Sequence, residues 1–460
     1  MNQRNEKSSK RSCLFLLFLI FGVLPISLLA LGLLLWFGRE ASGSRRLKTR
    51  IATLAKQGYP HDDATAESFY KDRTDPTNTD AWLEIIETVK SDDFGASING
   101  IPFLGVTDEP PRELDAVWRE EQIARDFLAK WKSLSSEALR LSMDAKPVRF
   151  PIVFDSFNSI DQNRLTGLRQ IARLINLQGF VAMRDGNSAG VRDAVGGLLG
   201  LSRVNSGEPM VVSHLVSMAI DGMAIGLLKD AIQFDTLSEA DLNFLLPRTL
   251  ALSNIGKDWE TAFAGERALA LPLFTDRKLA KSAGVFLPFA NSRDAILYID
   301  LIDSLLDQPT DDLQEFKARL RDVDNNLSSK RGISWLTQLD SIMTMQTAPA
   351  VSASGDAFIR RAIQHRIAAL AIGLRLYEDR HGKLPSSLKD LSGLPMNLEQ
   401  VSPSKVQSFG YSFEKPNARL WGGTFQDAFA IPTEPPKIDQ GSEETDRTGA
   451  AFWSWELRSK

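Results

Sequence analysis

A mainly α-helical chain is the fold class the sequence predicts: an N-terminal transmembrane helix, an irregular, α-solenoid-like helical array and a small C-terminal α+β module with an antiparallel sheet. Three observations predict it. An uncharged run lies near the start, apolar residues recur at helical steps through the middle, and the period changes to two near the end. The expected boundaries are a basic tail at 1–11, the membrane helix at 12–38, the array at 39–350, the α+β module at 351–431, an acidic Pro-rich linker at 432–449 and a terminal strand at 450–460.

Between Arg11 and Arg39 lie 27 residues without a charge, almost all apolar from Leu14 to Phe37. A helix rising about 1.5 Å per residue needs about 20 residues to cross a hydrocarbon layer about 30 Å thick, so the run is long enough to span with tilt or a kink at Pro25. A cleaved signal peptide has an apolar region of about 7–15 residues followed at once by small residues. Here the run is longer, and Arg39 and Glu40 precede Ala41, Ser42 and Gly43, so an uncleaved anchor is expected. Arg4, Lys7, Lys10 and Arg11 precede the run and Arg39, Arg45, Arg46, Lys48 and Arg50 follow it. Long domains cross largely regardless of charge, which favours a short inner tail and the large domain outside the cytoplasm.

Two or more helices are expected between Leu47 and Asp144, the clearest from about 112 to 143. Pro147 and Pro151 push the residues before them towards extended geometry, so 145–163 reads as a connection. A helix over about 163–184 places Leu165, Leu168, Ala172 and Ile175 on one face and stops at Asp185-Gly186-Asn187. A second, over about 188–204, aligns Val191, Val195, Leu198 and Leu201. The third, over about 210–232, carries Val212, Leu215, Val216, Ala219 and Met223 on its apolar side. Turns this short predict antiparallel packing. Further helices are expected at 238–253, 255–270, 292–306 and 310–326. Asp75-Pro76 with Ala81-Trp82-Leu83, and Gly186-Asn187 with Ala194, are placed as in tetratricopeptide repeats, to which the array bears a loose resemblance; no period near 34 residues recurs.

A helix over about 355–380 carries Ile359, Ile363, Ile367, Leu370, Leu374 and Tyr377 on one stripe, with Arg375 off it, and stops at His381-Gly382 before Pro385. Phe409, Tyr411 and Phe413 then alternate, Lys415-Pro416-Asn417 supplies a turn, and Arg419 to Trp421 returns antiparallel. Phe425 to Ile431, and the end of the chain with Trp453, Trp455 and Leu457, are further candidate strands. The run AALAIGLRLYEDRHGKLPSSLKDL and the aromatic strand ending near Trp421-Gly422-Gly423 resemble a segment at the C-termini of uncharacterised bacterial single-pass membrane proteins. They are distantly similar to the stretch after the long helix of type II secretion pseudopilins. The Gly followed by Phe-Thr-Leu-x-Glu that opens a prepilin helix is absent. The resemblance implies an envelope protein and carries no catalytic residue.

Composition narrows the chemistry. With 54 Lys and Arg against 58 Asp and Glu the chain has a net charge of −4, which supplies no positive field for nucleic acid. One cysteine, Cys13, permits neither an intrachain disulfide nor a thiolate metal cluster. His214, Ser217 and Asp221 share a helix face and spell a hydrolase triad in outline, but spacing is not geometry and no G-x-S-x-G is present, so a solvated polar stripe is the expected role. His365, Glu378, Asp379 and His381 are the one grouping to test for a metal; the two histidines fall about 24 Å apart along a helix and cannot share an ion. His61-Asp62-Asp63 reads as a polar loop, and Gly196, Gly197 and Gly200 as close helix packing. No catalytic, cofactor-binding or metal-ligating residue is assigned. The expectation is a single-pass envelope protein of the cell membrane, in contact with the bilayer through residues 12–38, that presents a surface to a protein partner. A membrane-tethered hydrolase of envelope polymers, or a secretion or pilus-like assembly component, are the alternatives.

Overall fold

The computed structural model describes residues 24–107, 110–111, 113–155, 161–282, 292–307, 312–330, 341–403, 409–414, 417–422 and 454–458. It is mainly helical. In chain order the helices are α1 (Leu24–Lys56), α2 (Asp63–Arg73), α3 (Thr79–Lys90), α4 (Asp92–Ser97), α5 (Glu121–Lys130), α6 (Lys132–Met143), α7 (Gln162–Arg184) and α8 (Ser188–Leu201). They continue with α9 (Val211–Gln233), α10 (Glu239–Ala251), α11 (Gly256–Thr275), α12 (Arg277–Ser282), α13 (Ser292–Leu306), α14 (Leu313–Lys330), α15 (Ile342–His381) and α16 (Leu398–Val401). A three-stranded antiparallel sheet of β1 (Gly410–Glu414), β2 (Asn417–Trp421) and β3 (Ser454–Arg458) has β2 in the centre.

The periodic segments form helices where their punctuation places them. Asp161 caps α7 by accepting from the Arg164 amide at 3.1 Å, Asn187 caps α8 by accepting from Gly190, and Ser238 and Asp241 form a capping box on α10. Gly186, at φ 65°, makes the turn between α7 and α8 in the left-handed region that glycine enters without strain. The expected helix over 112–143 is instead two, α5 and α6, preceded by turns. The break falls at Trp131, whose indole donates to Ser97 Oγ at 3.0 Å and packs edge-on against Phe94. The half-buried ring bridges α4 and the break between α5 and α6. The connection expected over 145–163 pairs with the chain at Asp75 in its first part, where Asp75 N donates to Pro147 O and Arg149 N to Asp75 O; its residues 156–160 lie outside the described residues.

α15 organises the rest. It packs on α9, α10, α13 and α14, and also on β2, α16 and the 3-10 turn Leu388–Gly393. Asp221 meets Arg361, the Ile232 carbonyl meets Arg375 and His214 lies beside Phe358, so α9 and α15 run parallel. Trp259 of α11 packs edge-on against Phe316 of α14 and Phe358 of α15, and the main hydrophobic core runs from Leu47 to Leu457. These are contacts between segments far apart in sequence, unlike a solenoid, in which each repeat touches its neighbours. The boundary expected at 350 lies inside α15, and the C-terminal sheet shares the core of the array.

The stripe expected on α15 is correct but incomplete. Ile359, Ile363, Ile367, Leu370 and Leu374 are buried and Tyr377 is half-buried, while Arg375 is buried too and donates to Ile232 O at 3.1 Å and to Glu378 at 2.5 Å. The neighbours of α15 leave this stretch no solvent face. The hairpin registers Gly410 with Trp421 and Glu414 with Asn417, and β3 pairs Leu457 with Ala418. The strand expected at Phe425 to Ile431 and the first part of the apolar run, up to residue 23, lie outside the described residues.

From Leu24 the run is helical, and α1 does not stop at its end: it continues to Lys56, so the boundary at 38 lies within one helix. Its second half packs along α13. Glu40 accepts from the Ser292 amide at 3.1 Å and from its hydroxyl, Gly43 admits the close approach of Ser292 and Arg293, and Arg50 pairs with Asp300 and Asp303. Among the described residues one helix, α9, is long and apolar enough to cross a membrane by length and composition. α9 lies against α7, α8, α11, α15 and β3 and holds Asp221 against Arg361, the arrangement of a core helix.

Candidate functional site

The three residues that outline a triad lie on one face of α9, but that face is turned inward. His214, Ser217 and Asp221 are 1%, 2% and 0% exposed, which corrects the expectation of a solvated stripe. The cause is the position of α9 against α15. The partly open side of α9 carries Leu215, Ala219 and Met223, the residues expected to be buried. Charge follows its partners inward: a buried carboxylate is tolerated when a cation and hydrogen bonds meet it.

Each member of the trio has a separate partner. Ser217 Oγ donates to the Ser213 carbonyl at 3.2 Å, one turn back on its own helix. His214 Nε2 lies 3.0 Å from the Glu208 carbonyl, which can only accept, so Nε2 carries the proton. Asp221 Oδ2 accepts from Arg361 Nε at 2.5 Å, with His365 Nε2 at 3.6 Å, and Arg361 also reaches Asp258 of α11. A hydroxyl that donates to backbone and a carboxylate that holds an arginine do not form a nucleophile, base and orienter in series.

The polar strip extends past α9. Ser213 donates to Glu208 Oε2 at 2.5 Å, and Arg164 of α7 donates to the same carboxylate and to Asn205 Oδ1, both at 2.9 Å. The Arg164 guanidinium also lies 4.4 Å from the centre of the Phe150 ring. Burial lowers the affinity of His214 for a proton. Burial opposes the Asp221 carboxylate too, but Arg361 and His365 outweigh it and hold the group below the usual carboxylate range. Arg361 is likewise held charged: Asp221 and Asp258 overcome its burial. The strip therefore holds two buried ion pairs, Asp221 with Arg361 and Glu208 with Arg164, which tie α9 to α15 and the turn before α9 to α7.

The remaining sequence candidates have structural roles. Asp62 caps α2 with Thr65, and His61 Nδ1 rests 3.3 Å from Tyr59 O. His365 lies at Asp221, whereas His381 stacks on Tyr377 at 4.0 Å and bonds its carbonyl; Glu378 pairs with Arg375. Among the described residues no group of three or more His, Cys, Asp or Glu is placed to hold a metal ion. A side chain on Gly200 would meet the Ser142 carbonyl at 1.7 Å and one on Gly197 would meet Leu139 at 2.4 Å, so these glycines serve close helix packing as expected.

The sequence reading missed two arginine centres, Arg361 and Arg267. Arg267 of α11 is fully buried, pairs with Asp303 and lies 5.2 Å from the Tyr59 ring centre; Asp303 is the residue that Arg50 of α1 also reaches. Each arginine stands beside another charged residue, Glu266 or Arg360, so nothing in the local sequence singles it out as buried. Two clefts, of about 320 Å³ beside Leu370, Phe409 and Tyr411 and about 310 Å³ beside Lys146, Arg203 and Arg248, are lined by other residues than the polar strip. No family model matches the chain, and neither a curated protein nor a solved structure matches it.

Proposed function

We propose that the chain is a single-pass membrane-anchored protein whose helical body engages a protein partner, with the body on the periplasmic side of the cell membrane. The observation that carries this reading is α1. The helix leaves the apolar run without a break and is held on α13 by Glu40, Gly43 and Arg50, so the body is mounted on its anchor through a stiff rod. A signal sequence removed near Ala41 would take with it the Glu40 carboxylate that accepts from Ser292. A scaffold is favoured over a hydrolase because Ser217 and Asp221, the residues that suggested hydrolysis, are committed to partners in the core.

Alkaline washing of membranes should leave the full chain in the pellet, and an alkaline-phosphatase fusion after Pro60 should be active. Release by the wash would overturn the anchor; an inactive fusion in a retained chain would reverse its orientation.

A further inference from the structure

We propose that the end of the body from which α1 protrudes is a docking surface for anionic lipid headgroups. The proposal rests on the anchored reading and names the second component of the membrane contact. Helix directions establish which end this is. α1 and α13 run parallel, because Glu40 meets Ser292 and Arg50 meets Asp300 and Asp303. α11 and α13 run antiparallel, because Trp259 Nε1 bonds Leu305 O while Phe274 lies against Tyr298. The C-terminus of α11, and α12 after it, are therefore brought to the level at which α1 emerges from its apolar run.

That level carries exposed cations from two segments more than two hundred residues apart. Arg45, Arg46 and Lys48 are exposed on α1, and Lys278 and Lys281 are exposed on α12. On α1 they lie away from the docked face of Gly43, Leu47 and Leu54: at about 100° per residue Arg45 is nearly opposite Leu47, with Arg46 and Lys48 to either side. Helical side chains lean towards the helix N-terminus, which here is the membrane, and Arg45 Nε reaches back to the Ala41 carbonyl at 3.4 Å. From Phe37 to Arg45 is about 12 Å of helix, within reach of a headgroup layer about 5–7 Å deep and a Debye length of about 8–10 Å.

Two carboxylates share this end with the five exposed cations, which outnumber them. Glu40 is bonded to Ser292, and Asp276 Oδ1 accepts from the first amides of α12, Lys278 N at 2.8 Å and Leu279 N at 3.2 Å. A locally cationic end on a chain of net charge −4 is complementary to anionic headgroups, and in the anchored reading α1 sets this end beside the bilayer.

The test places the full chain in nanodiscs of phosphatidylcholine alone or mixed with phosphatidylglycerol and maps amine acylation by mass spectrometry. Lys278 and Lys281 should react about fivefold more slowly in the anionic discs. High salt should abolish the difference, and Lys146, which lines the second cleft, serves as the reference. A Lys48→Glu, Lys281→Glu variant should lose part of the protection at Lys278. Equal reaction of Lys278 and Lys281 in both discs, in a chain that has incorporated, would overturn the lipid surface alone. Failure to incorporate would overturn the anchor and this surface with it.

Discussion

Asp221 is the single carboxylate in the first five turns of α9, and Arg361 meets it in the interior at 2.5 Å. Removing one partner of a buried pair leaves the other charge stranded, which typically costs about 3–5 kcal/mol. Arg361→Ala should lower the urea midpoint accordingly, while the pair Asp221→Leu, Arg361→Met should recover much of the loss. An Arg361→Ala protein with an unchanged midpoint would contradict the buried ion pair. His214 gives a pH signature. Its folded-state pKa lies below the unfolded value of about 6.5, so its stabilising contribution is complete above about pH 6.5 and is lost as the pH falls below that. Asp221 has the same sign at lower pH, with stability lost as the pH falls through its depressed carboxylate pKa. Midpoints measured between pH 7 and 5 should fall for the native chain and fall less for His214→Asn.

Helices approach one another at different distances, and glycine reports which. A methyl on Gly200 would meet the Ser142 carbonyl of α6, so Gly200→Ala should destabilise by about 1–3 kcal/mol or more, as overpacking does. Gly222 and Gly226 of α9 have nothing within 4 Å of an added Cβ, so each change to Ala should stabilise by about 0.8–1 kcal/mol through helix propensity. On α15, Leu374→Ala should cost about 2–5 kcal/mol by lost burial, and Arg375→Ala should cost as much by stranding Glu378 in the core. Equal sensitivity at neighbouring positions is what an enclosed helix predicts; denaturation of the two variants checks it.

The same comparison shows what the sequence makes legible. Helix existence and limits are local: Leu165, Leu168 and Ala172 recur at helical steps between Asp161 and the Gly186 turn, and α7 occupies that interval. Which side of a helix faces inward depends on distant chain. Arg361 lies 140 residues after Asp221, and nothing in the spacing around His214, Ser217 and Asp221 announces that a cation will arrive there. The strip was therefore visible as a set of residues and misread as a surface. The break at Trp131 was hidden similarly, because the aromatic partner Phe94 belongs to another helix.

At the scale of the whole molecule the central feature is the continuity of α1 from the apolar run to the Arg50 pairs on α13. In the proposed reading one helix is both membrane rod and part of the folded body, so removing the anchor would take contacts from α13. Intact mass spectrometry of the protein extracted from membranes tests this most directly. Retention of the whole chain, at 51.0 kDa, is the expected result. A mature chain beginning close to Ala41 would contradict it.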